Sequence, residues 1–284
     1  MTKSFAQITD TDKNTLMVVD SLNLAFRYKH SGAVDFVTDY MRTVESLKKS
    51  YKTTKLIIAG DMGSSSYRKA IYPEYKQNRK DKYADQTEAE KAAFELFFEE
   101  VQNILQEYEA EGVYPVTRFQ GVEADDIAAY IVSKRKKYNI EQLWLISSDK
   151  DWDLLVQPGV SRFSYVTRKE VTHDSWQDHY DCTQDEYISI KCLMGDAGDN
   201  VKGVAGIGPK RALQLVQEYG SCYDLIAALP ISSKYKYITS LNEFGSDNLM
   251  LNYKLMDLVT FCEDAIGADN CKQLDKILDE YLND

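Results

Sequence analysis

The chain has 284 residues, 44% of them hydrophobic, which is enough for one large core or for one core with a smaller satellite. It has no apolar run of the roughly 18 residues that span a membrane, no apolar signal segment in residues 1–14 and no C-x-x-C pair among its five cysteines, so we predict a cytoplasmic protein with reduced thiols and no membrane partner. Its net charge of −11 argues against a polyanionic ligand, because nucleic-acid binding usually leaves a basic surface.

The order of the predicted elements favours an α/β fold. Buried strands are predicted at 16–19, 56–59, 114–119 and 143–146, and helices with an apolar stripe lie between them. This alternation indicates a mostly parallel, twisted sheet flanked by helices. Residues 160–173 have the pattern of a hairpin, and the pattern is helical from about Glu186. We therefore predict an α/β core in residues 1–185 and a helical region in residues 186–284.

The segment between the second and third predicted strands is basic and then helical. Residues 67–82 contain six cationic side chains, two acidic ones and several tyrosines. Charge runs of this kind are usually solvated faces, although interleaved tyrosines also fit a channel for single-stranded nucleic acid. Thr87 and Glu90 have the spacing of a capping box, which predicts the start of a long helix. The three tryptophans are predicted to serve the core.

Three of the predicted strands run directly into aspartates. Because the carboxyl ends of parallel strands meet at one edge of a sheet, these acids should lie together, and two more acidic clusters follow in the chain. The candidates are Asp20, Asp61, Glu123, Asp125, Asp126, Asp149, Asp151, Asp196 and Asp199. A single aspartate at a strand end is commonly the cap of the next helix. Helix capping is a weaker explanation when three strands each end at an aspartate.

So many carboxylates stay close together only when cations hold them. An all-carboxylate site favours Mg²⁺ or Mn²⁺, and the number of acids is sufficient for two ions. These acids also account for most of the surplus negative charge, which weakens the objection to a polyanionic ligand. The pattern predicts a metal-dependent enzyme that acts on phosphates.

A glycine-rich turn follows in the helical region. Residues 203–211 have the sequence GVAGIGPKR, in which Pro209 is suited to the first position of a helix. The free backbone N–H groups there, flanked by lysine and arginine, are suited to binding a phosphate, as in the hairpin of a helix-hairpin-helix element. A plain glycine-rich connection between helices is the alternative, and we favour the phosphate site.

Together these motifs resemble those of the 5′-nuclease family, which comprises phage and viral flap endonucleases and exonucleases and the 5′-nuclease domain of bacterial DNA polymerase I. The resemblance extends from about Leu16 to Gly220 and is greatest to the stand-alone bacteriophage members. It rests on VVDSLNLAFR at 18–27, GD at 60–61, PEYKQNR at 73–79, GVEADDIAAY at 121–130, ISSDKDWD at 146–153 and MGDAGDNVKGVAGIGPKR at 194–211.

The resemblance implies a role for each candidate residue. Asp61, Glu123, Asp125 and Asp126 would surround one metal region and Asp149, Asp151, Asp196 and Asp199 the second, with Asp20 near both. A helical arch at about 67–110 would admit a single-stranded 5′ flap, and Lys76 and Arg79 would reach the scissile phosphate from it. Tyr75 would stack on a base, and Arg27 and Lys191 would lie near the substrate. A helix-hairpin-helix element at about 190–220 would hold the duplex, with K⁺ as a candidate ion, through Lys202, Gly203, Gly206, Gly208, Lys210 and Arg211.

The implied enzyme is a Mg²⁺-dependent 5′-3′ exonuclease and flap endonuclease that acts on branched or flapped DNA in replication or repair. It would use two or more Mg²⁺ ions, with Mn²⁺ as a substitute, and we expect a monomer in the cytoplasm, that of the host cell for a phage-encoded member. Two alternatives stay open. A PIN-type ribonuclease shares the strand-end acids but is not expected to carry the arch and the hairpin, whereas a non-catalytic DNA-structure binder leaves the acids unexplained.

Overall fold

The computed structural model describes residues 14–29 and 36–283. Six strands form one sheet in the order β3-β2-β1-β4-β5-β6, and every neighbouring pair is parallel except β5 and β6, which are antiparallel. The strands are β1 Thr15–Asp20, β2 Lys55–Ala59, β3 Val116–Thr117, β4 Gln142–Ile146, β5 Val160–Ser164 and β6 Lys169–Val171. The predicted mostly parallel sheet and the terminal hairpin are confirmed.

Helices cover both faces of the sheet and continue beyond it. They are α1 Ser21–Ala25, α2 Val37–Ser50, α3 Ser66–Ile71, α4 Gln77–Ala84, α5 Glu88–Glu111, α6 Ala124–Lys134, α7 Gln184–Met194, α8 Pro209–Tyr219, α9 Cys222–Ala228, α10 Lys236–Met256, α11 Leu258–Ile266 and α12 Ala268–Leu282. Two 3-10 helices lie at Lys150–Leu155 and Trp176–Asp178. No helix among residues 14–29 and 36–283 is long and apolar enough to cross a membrane.

The central strand β1 explains why the sheet is buried on both faces. Residues 16–19 are an uninterrupted apolar run with no exposed surface, as expected of a parallel strand between two helical layers. Alternate residues face α2 and α5 on one side and α6, α11 and α12 on the other. Because β1 is paired with both β2 and β4, its last residue, Asp20, lies beside the ends of both neighbours.

The connection from β2 to β3 contains the arch region. It consists of α3, α4 and α5, and the predicted capping box of Thr87 and Glu90 is present at the start of α5. Helix α4 buries none of its residues, whereas α5 packs Phe97, Val101 and neighbouring apolar side chains against the sheet. The arch region is thus anchored to the fold by the C-terminal half of α5.

A second hydrophobic core lies beside the sheet. Helices α7 to α10 enclose it, and the turn between α7 and α8 lies at its surface. Helices α11 and α12 instead return to the sheet, where Leu274 and Leu278 are fully buried and the Tyr281 hydroxyl accepts a hydrogen bond from the backbone N–H of Leu56. Residues 186–282 therefore contribute to two cores, and the last two helices complete one face of the sheet.

Candidate active site

The acids at the strand ends lie together at the carboxyl edge of the sheet. Asp20 Oδ2 accepts a hydrogen bond from Ser147 Oγ at 2.7 Å, and the same Oγ accepts one from the backbone N–H of Asp149 at 3.1 Å. Asp61 Oδ1 accepts a hydrogen bond from the backbone N–H of Ala124 at 3.0 Å. Ser147 thus joins the ends of β1 and β4, and Asp61 joins β2 to the start of α6.

Burial and mutual repulsion disfavour the charged form of several of these carboxylates and so raise their pKa values. Burial raises the pKa of Asp20 to about 8, with repulsion from Asp61 as the second cause. Burial also raises the pKa of Asp61 above its usual value, and it raises the pKa of Asp125 well above it with Asp149 as the next cause. Among the described residues, none of these carboxylates has an ion pair with a lysine or arginine.

These features fit a divalent metal ion. The donors are hard carboxylate oxygens from several elements, and a cation would relieve the repulsion that raises their pKa values. Within residues 14–29 and 36–283, no three acidic, histidine or cysteine side chains are gathered closely enough to hold an ion as they stand. Closing the edge around a metal therefore requires small movements of the carboxylates.

Glu123 and Asp126 both form ion pairs with Arg68. Arg68 donates two hydrogen bonds to the Asp126 carboxylate, at 2.7 and 2.8 Å, and one to Glu123 at 3.4 Å. Asp126 has no exposed surface and Arg68 is 3% exposed. The three-residue spacing places Asp126 with Glu123 on the helix face that meets α3, and the predicted place of Asp126 around the first metal region stays a prediction.

Arg68 was counted among the basic residues of the arch, but it is part of the core. Its Nε donates a hydrogen bond to the backbone carbonyl of Leu255 at 2.8 Å. One guanidinium thereby connects α3, α6 and the C-terminal end of α10. The sequence signal was an arginine in the first turn of a helix, three residues after the serine cap Ser65, and it does not distinguish a buried arginine from an exposed one.

Lys76 lies at the base of the arch against two carboxylates. Its Nζ is 2.8 Å from Glu123 Oε1 and 3.7 Å from Asp199 Oδ2. Burial opposes the charge on Lys76, but Glu123 and Asp199 outweigh it and raise the pKa of this amine. Arg79 also contacts Asp199, at 2.5 Å between Nη2 and Oδ1. Both predicted catalytic cations therefore lie at the acidic edge.

Tyr75 is not placed to stack on a base. It is 3% exposed, and its hydroxyl lies 3.0 Å from Glu123 Oε2 and 2.8 Å from Asp199 Oδ2. The other tyrosines predicted to line a channel also have protein partners: Tyr67 lies against Phe261, and Tyr83 donates a hydrogen bond to Glu95. The stacking role is thus corrected, since this ring is buried in the second hydrophobic core and only its hydroxyl reaches the acids.

Four of the candidate carboxylates contact one of two lysines, Lys76 or Lys191. Asp199 lies with Glu123, since an oxygen of each is within hydrogen-bond distance of the single Tyr75 hydroxyl and each contacts Lys76. Asp151 and Asp196 lie around Lys191, whose Nζ is 2.6 Å from an oxygen of Asp151 and 3.9 Å from one of Asp196. Asp199 also stays beside Asp196, whose Oδ1 accepts a hydrogen bond from the backbone N–H of Asp199 at 3.2 Å, so the predicted place of Asp199 in the second metal region stays a prediction.

The arch base and the loop before the hairpin are held together by backbone contacts. The backbone N–H of Lys76 donates to the carbonyl of Asp199 at 2.9 Å, and Asn78 Nδ2 donates to the carbonyl of Ala197 at 2.7 Å. Lys76 adopts a left-handed conformation with φ of 54°, which turns the chain into α4 at this point. The position of the arch is thereby tied to the loop that carries Asp196 and Asp199.

The predicted hairpin is present between α7 and α8. A side chain at Gly203 is excluded, because its Cβ would lie 1.9 Å from the carbonyl oxygen of Met194. Gly206 has φ of 77° and lies at the exposed tip with Gly208, and Pro209 is the first residue of α8. The role of Gly203 is therefore close backbone packing, whereas the tip presents open backbone.

The cations around the hairpin are available to a ligand. Lys202 and Lys210 are exposed. Arg211 donates a hydrogen bond to the carbonyl of Gly206 at 2.6 Å, and its guanidinium lies 4.8 Å from the ring of Tyr237. This contact fixes one cation beside the turn. Phosphate binding at the turn is supported by the helix N-terminus and by these charges.

Arg27 lies in a cavity of about 420 Å³ between α2 and the β5–β6 turn. The ring of Tyr165 is flanked by the guanidiniums of Arg27 and Arg168, at 4.3 and 4.1 Å from its centroid. Arg42 also lines the cavity. The motif around Arg27 identifies this residue in the sequence. Nothing in the sequence indicates that Arg27 lies near Arg42 and Arg168, which are distant from it in the chain. The cavity groups three guanidiniums with one carboxylate, Asp39, which lies 3.5 Å from Arg42.

Two family models cover nearly the whole chain. Residues 15–181 match the 5′-3′ exonuclease N-terminal resolvase-like domain, and residues 182–276 match the 5′-3′ exonuclease C-terminal SAM fold. The flap endonuclease of Escherichia phage T5 is 41% identical over an alignment of 290 positions, gaps included, that covers 99% of this chain and 98% of that protein. The flap endonuclease Xni of Shewanella oneidensis is 26% identical, over 87% of this chain and 90% of that protein.

Two solved structures of the phage T5 enzyme have the same fold at 41% identity. One is described as T5 5′-exonuclease with bound zinc and has a TM-score of 0.89, and the other is a flap endonuclease pseudo-enzyme–product complex with DNA and metal ions and has a TM-score of 0.90. Each match covers 95% of this chain and 100% of the other. The chain described here therefore belongs to the 5′-3′ exonuclease and flap endonuclease family.

Proposed function

We propose that this protein is a structure-specific 5′ nuclease that hydrolyses DNA phosphodiester bonds, as a 5′-3′ exonuclease and 5′-flap endonuclease, in DNA replication or repair. The observation that carries the proposal is the meeting of acids from three strands and α6 at one edge, directly below the arch base and beside the hairpin. A metal-dependent cut next to a bound duplex requires these three parts together.

Two or more Mg²⁺ ions are proposed at the acidic edge, with Mn²⁺ as a substitute. The carboxylates without a cationic partner, Asp20, Asp61, Asp125 and Asp149, are the strongest candidate ligands, with Asp151 and Asp196 beside them. Bound divalent ions would lower the pKa of water and neutralise charge on the phosphate. In this proposal Glu123 and Asp199 mainly hold the cations of the arch base, and Asp126 holds Arg68 in the core.

The arch base supplies positive charge where the reaction needs it. Lys76 and Arg79 are fixed beside the acids by Glu123 and Asp199, and an incoming phosphate would compete with those carboxylates for them. The pKa of Lys76 is raised, so the amine stays protonated and donates hydrogen bonds to phosphate oxygens. Cleavage would leave a 5′-phosphate and a 3′-hydroxyl.

The proposed substrate is branched or flapped DNA with a single-stranded 5′ end. The arch at 67–110 would admit the flap, and Arg79, Lys80 and Lys82 are exposed cations in it. The 203–211 turn would hold the duplex backbone, with K⁺ as a candidate ion at its carbonyls. The cavity of Arg27, Arg42 and Arg168 supports contact with a second arm of the branch, because phosphates bind to grouped guanidiniums.

A DNA flap and a matched RNA flap, each labelled at the 3′ end and incubated with Mg²⁺, test this function. We expect one cut near the junction of the DNA flap and little cleavage of the RNA flap. Efficient RNA cleavage would favour the PIN-type ribonuclease, and release of intact DNA would favour a non-catalytic binder. We expect a monomer acting in the cytoplasm, with a core in residues 1–185 and a DNA-holding helical region in residues 186–284, and sedimentation of the protein–DNA complex tests the monomer.

A further inference from the structure

The indole of Trp152 contacts one of the candidate metal ligands. Its Nε1–H donates a hydrogen bond to Asp125 Oδ1 at 2.5 Å. Trp152 has no exposed surface, and its ring packs in the apolar core between α6 and α11. The interaction joins two elements that both carry acids of the site, since Trp152 follows Asp151 directly while Asp125 lies in the first turn of α6.

The alternation of side chains in residues 149–153 explains why a tryptophan occupies this position. Asp149 and Asp151 lie at the acidic edge, where Asp151 contacts Lys191. Asp153 is buried and receives two hydrogen bonds from Arg162. Trp152 lies between them in sequence but is directed at α6. In this short 3-10 helix, Asp151, Trp152 and Asp153 therefore contact three different partners. The partner of Trp152 is Asp125, at the start of α6.

The other two tryptophans show that this contact is not required by core packing. Trp144 Nε1 is buried and has no hydrogen-bond partner. Trp176 Nε1 donates to the backbone carbonyl of Cys182 at 2.7 Å, away from the acids. Within the described residues, Trp152 is the tryptophan whose indole N–H donates a hydrogen bond to a carboxylate of the site. The prediction that all three serve only the core is incomplete for this residue.

We propose that Trp152 is a positioning residue that orients the Asp125 carboxylate for metal binding; this inference rests on the proposed function. The hydrogen bond fixes Oδ1, and in this proposal the other oxygen, Oδ2, is left to bind the metal. It also supplies a neutral donor to a carboxylate whose charge is opposed by burial and by Asp149. Partners of this kind typically change metal affinity by about 10- to 100-fold when removed.

Trp152→Phe tests the proposal, with Trp144→Phe as the matched control. Both variants shorten a fully buried tryptophan, but only the first removes a hydrogen bond to a carboxylate. Calorimetric titration with Mg²⁺ should show about tenfold weaker binding for Trp152→Phe and no change for Trp144→Phe. Affinity for flap DNA in EDTA should be unchanged in both. Equal Mg²⁺ affinity in the two variants would refute the positioning role.

The intact protein gives a second readout should Trp152→Phe fail to fold. The three indole N–H signals in a ¹H–¹⁵N spectrum are assigned with the Trp144→Phe and Trp176→Phe variants. Adding Mg²⁺ should move the Trp152 signal and leave the Trp144 signal in place. An unmoved Trp152 signal at saturating Mg²⁺ would contradict the proposal.

Asp125→Asn separates failure of this inference from failure of the proposed function. If Asp125→Asn leaves Mg²⁺ affinity unchanged, Asp125 is not a ligand and the assignment of the metal site is wrong. If Asp125→Asn weakens binding while Trp152→Phe does not, the metal site stands and only the role of Trp152 fails.

Discussion

Replacing Arg68 by methionine should destabilise the protein strongly. The change keeps most of the side-chain length but removes the guanidinium that donates to Asp126, Glu123 and the Leu255 carbonyl. Asp126 would remain fully buried without a partner. Breaking a buried pair from one side costs about 3–5 kcal/mol, which corresponds to a fall in Tm of about 6–10 °C if each kcal/mol lowers Tm by about 2 °C.

The assay is thermal unfolding followed by circular dichroism in EDTA, so that the change reports on the ion pair alone. Lys272→Met is the control, because its partner Asp269 and the lysine itself are both exposed and such pairs contribute at most about 1 kcal/mol. The double variant Arg68→Met with Asp126→Asn should recover much of the loss, since the unpaired charge is gone. A single-variant Tm within about 2 °C of the control would refute the view of Arg68 as a buried link.

Three further predictions concern the site. Asp149→Asn should lower the rate of single-turnover cleavage more than about 100-fold, which exceeds the effect of losing a residue that only hydrogen-bonds to a metal ligand. Its affinity for DNA, measured with Ca²⁺, should stay equal or increase. Equal losses of cleavage and of DNA affinity would count against a ligand role. Lys210→Ala should weaken duplex binding and reduce the slope of log Kd against log salt concentration by about 0.9. Lys136→Ala, an exposed control at the other edge of the sheet, should change neither. An unchanged slope for Lys210→Ala would exclude a phosphate contact. Burial and then Asp61 raise the pKa of Asp20 from 3.8 to about 8, so its stabilising contribution is present at acidic pH and lost as pH rises through 8. In EDTA, Tm should therefore fall between about pH 4 and pH 8. Mg²⁺ should reverse the fall and Asp20→Asn should reduce it, and a pH-independent Tm would contradict this origin.

Much of the fold was predictable because its signals are local. The strand of Leu16 to Val19 is an apolar run buried on both faces, and the aspartate that follows it must lie at the carboxyl edge of a parallel sheet. The capping box of Thr87 and Glu90 and the proline at the start of α8 fix two helix starts in the same way. Each feature follows from a few neighbouring residues.

The details of the site were less predictable because they depend on which side of an element a residue faces. Asp125 and Asp126 are adjacent in sequence, yet one contacts Trp152 and the other is enclosed by Arg68. The burial of Tyr75 and the contact of Asp199 with the arch base come from packing between distant segments. Composition and spacing do not specify such contacts.

Cleavage of a 5′-flap DNA labelled at its 3′ end tests the central claim most directly. The intact protein is incubated with this substrate in Mg²⁺ and, in parallel, in EDTA. We predict one product, cut near the flap junction, in Mg²⁺ and none in EDTA. Tight binding without cleavage in either Mg²⁺ or Mn²⁺ would contradict the account and require another role for the acids at the sheet edge.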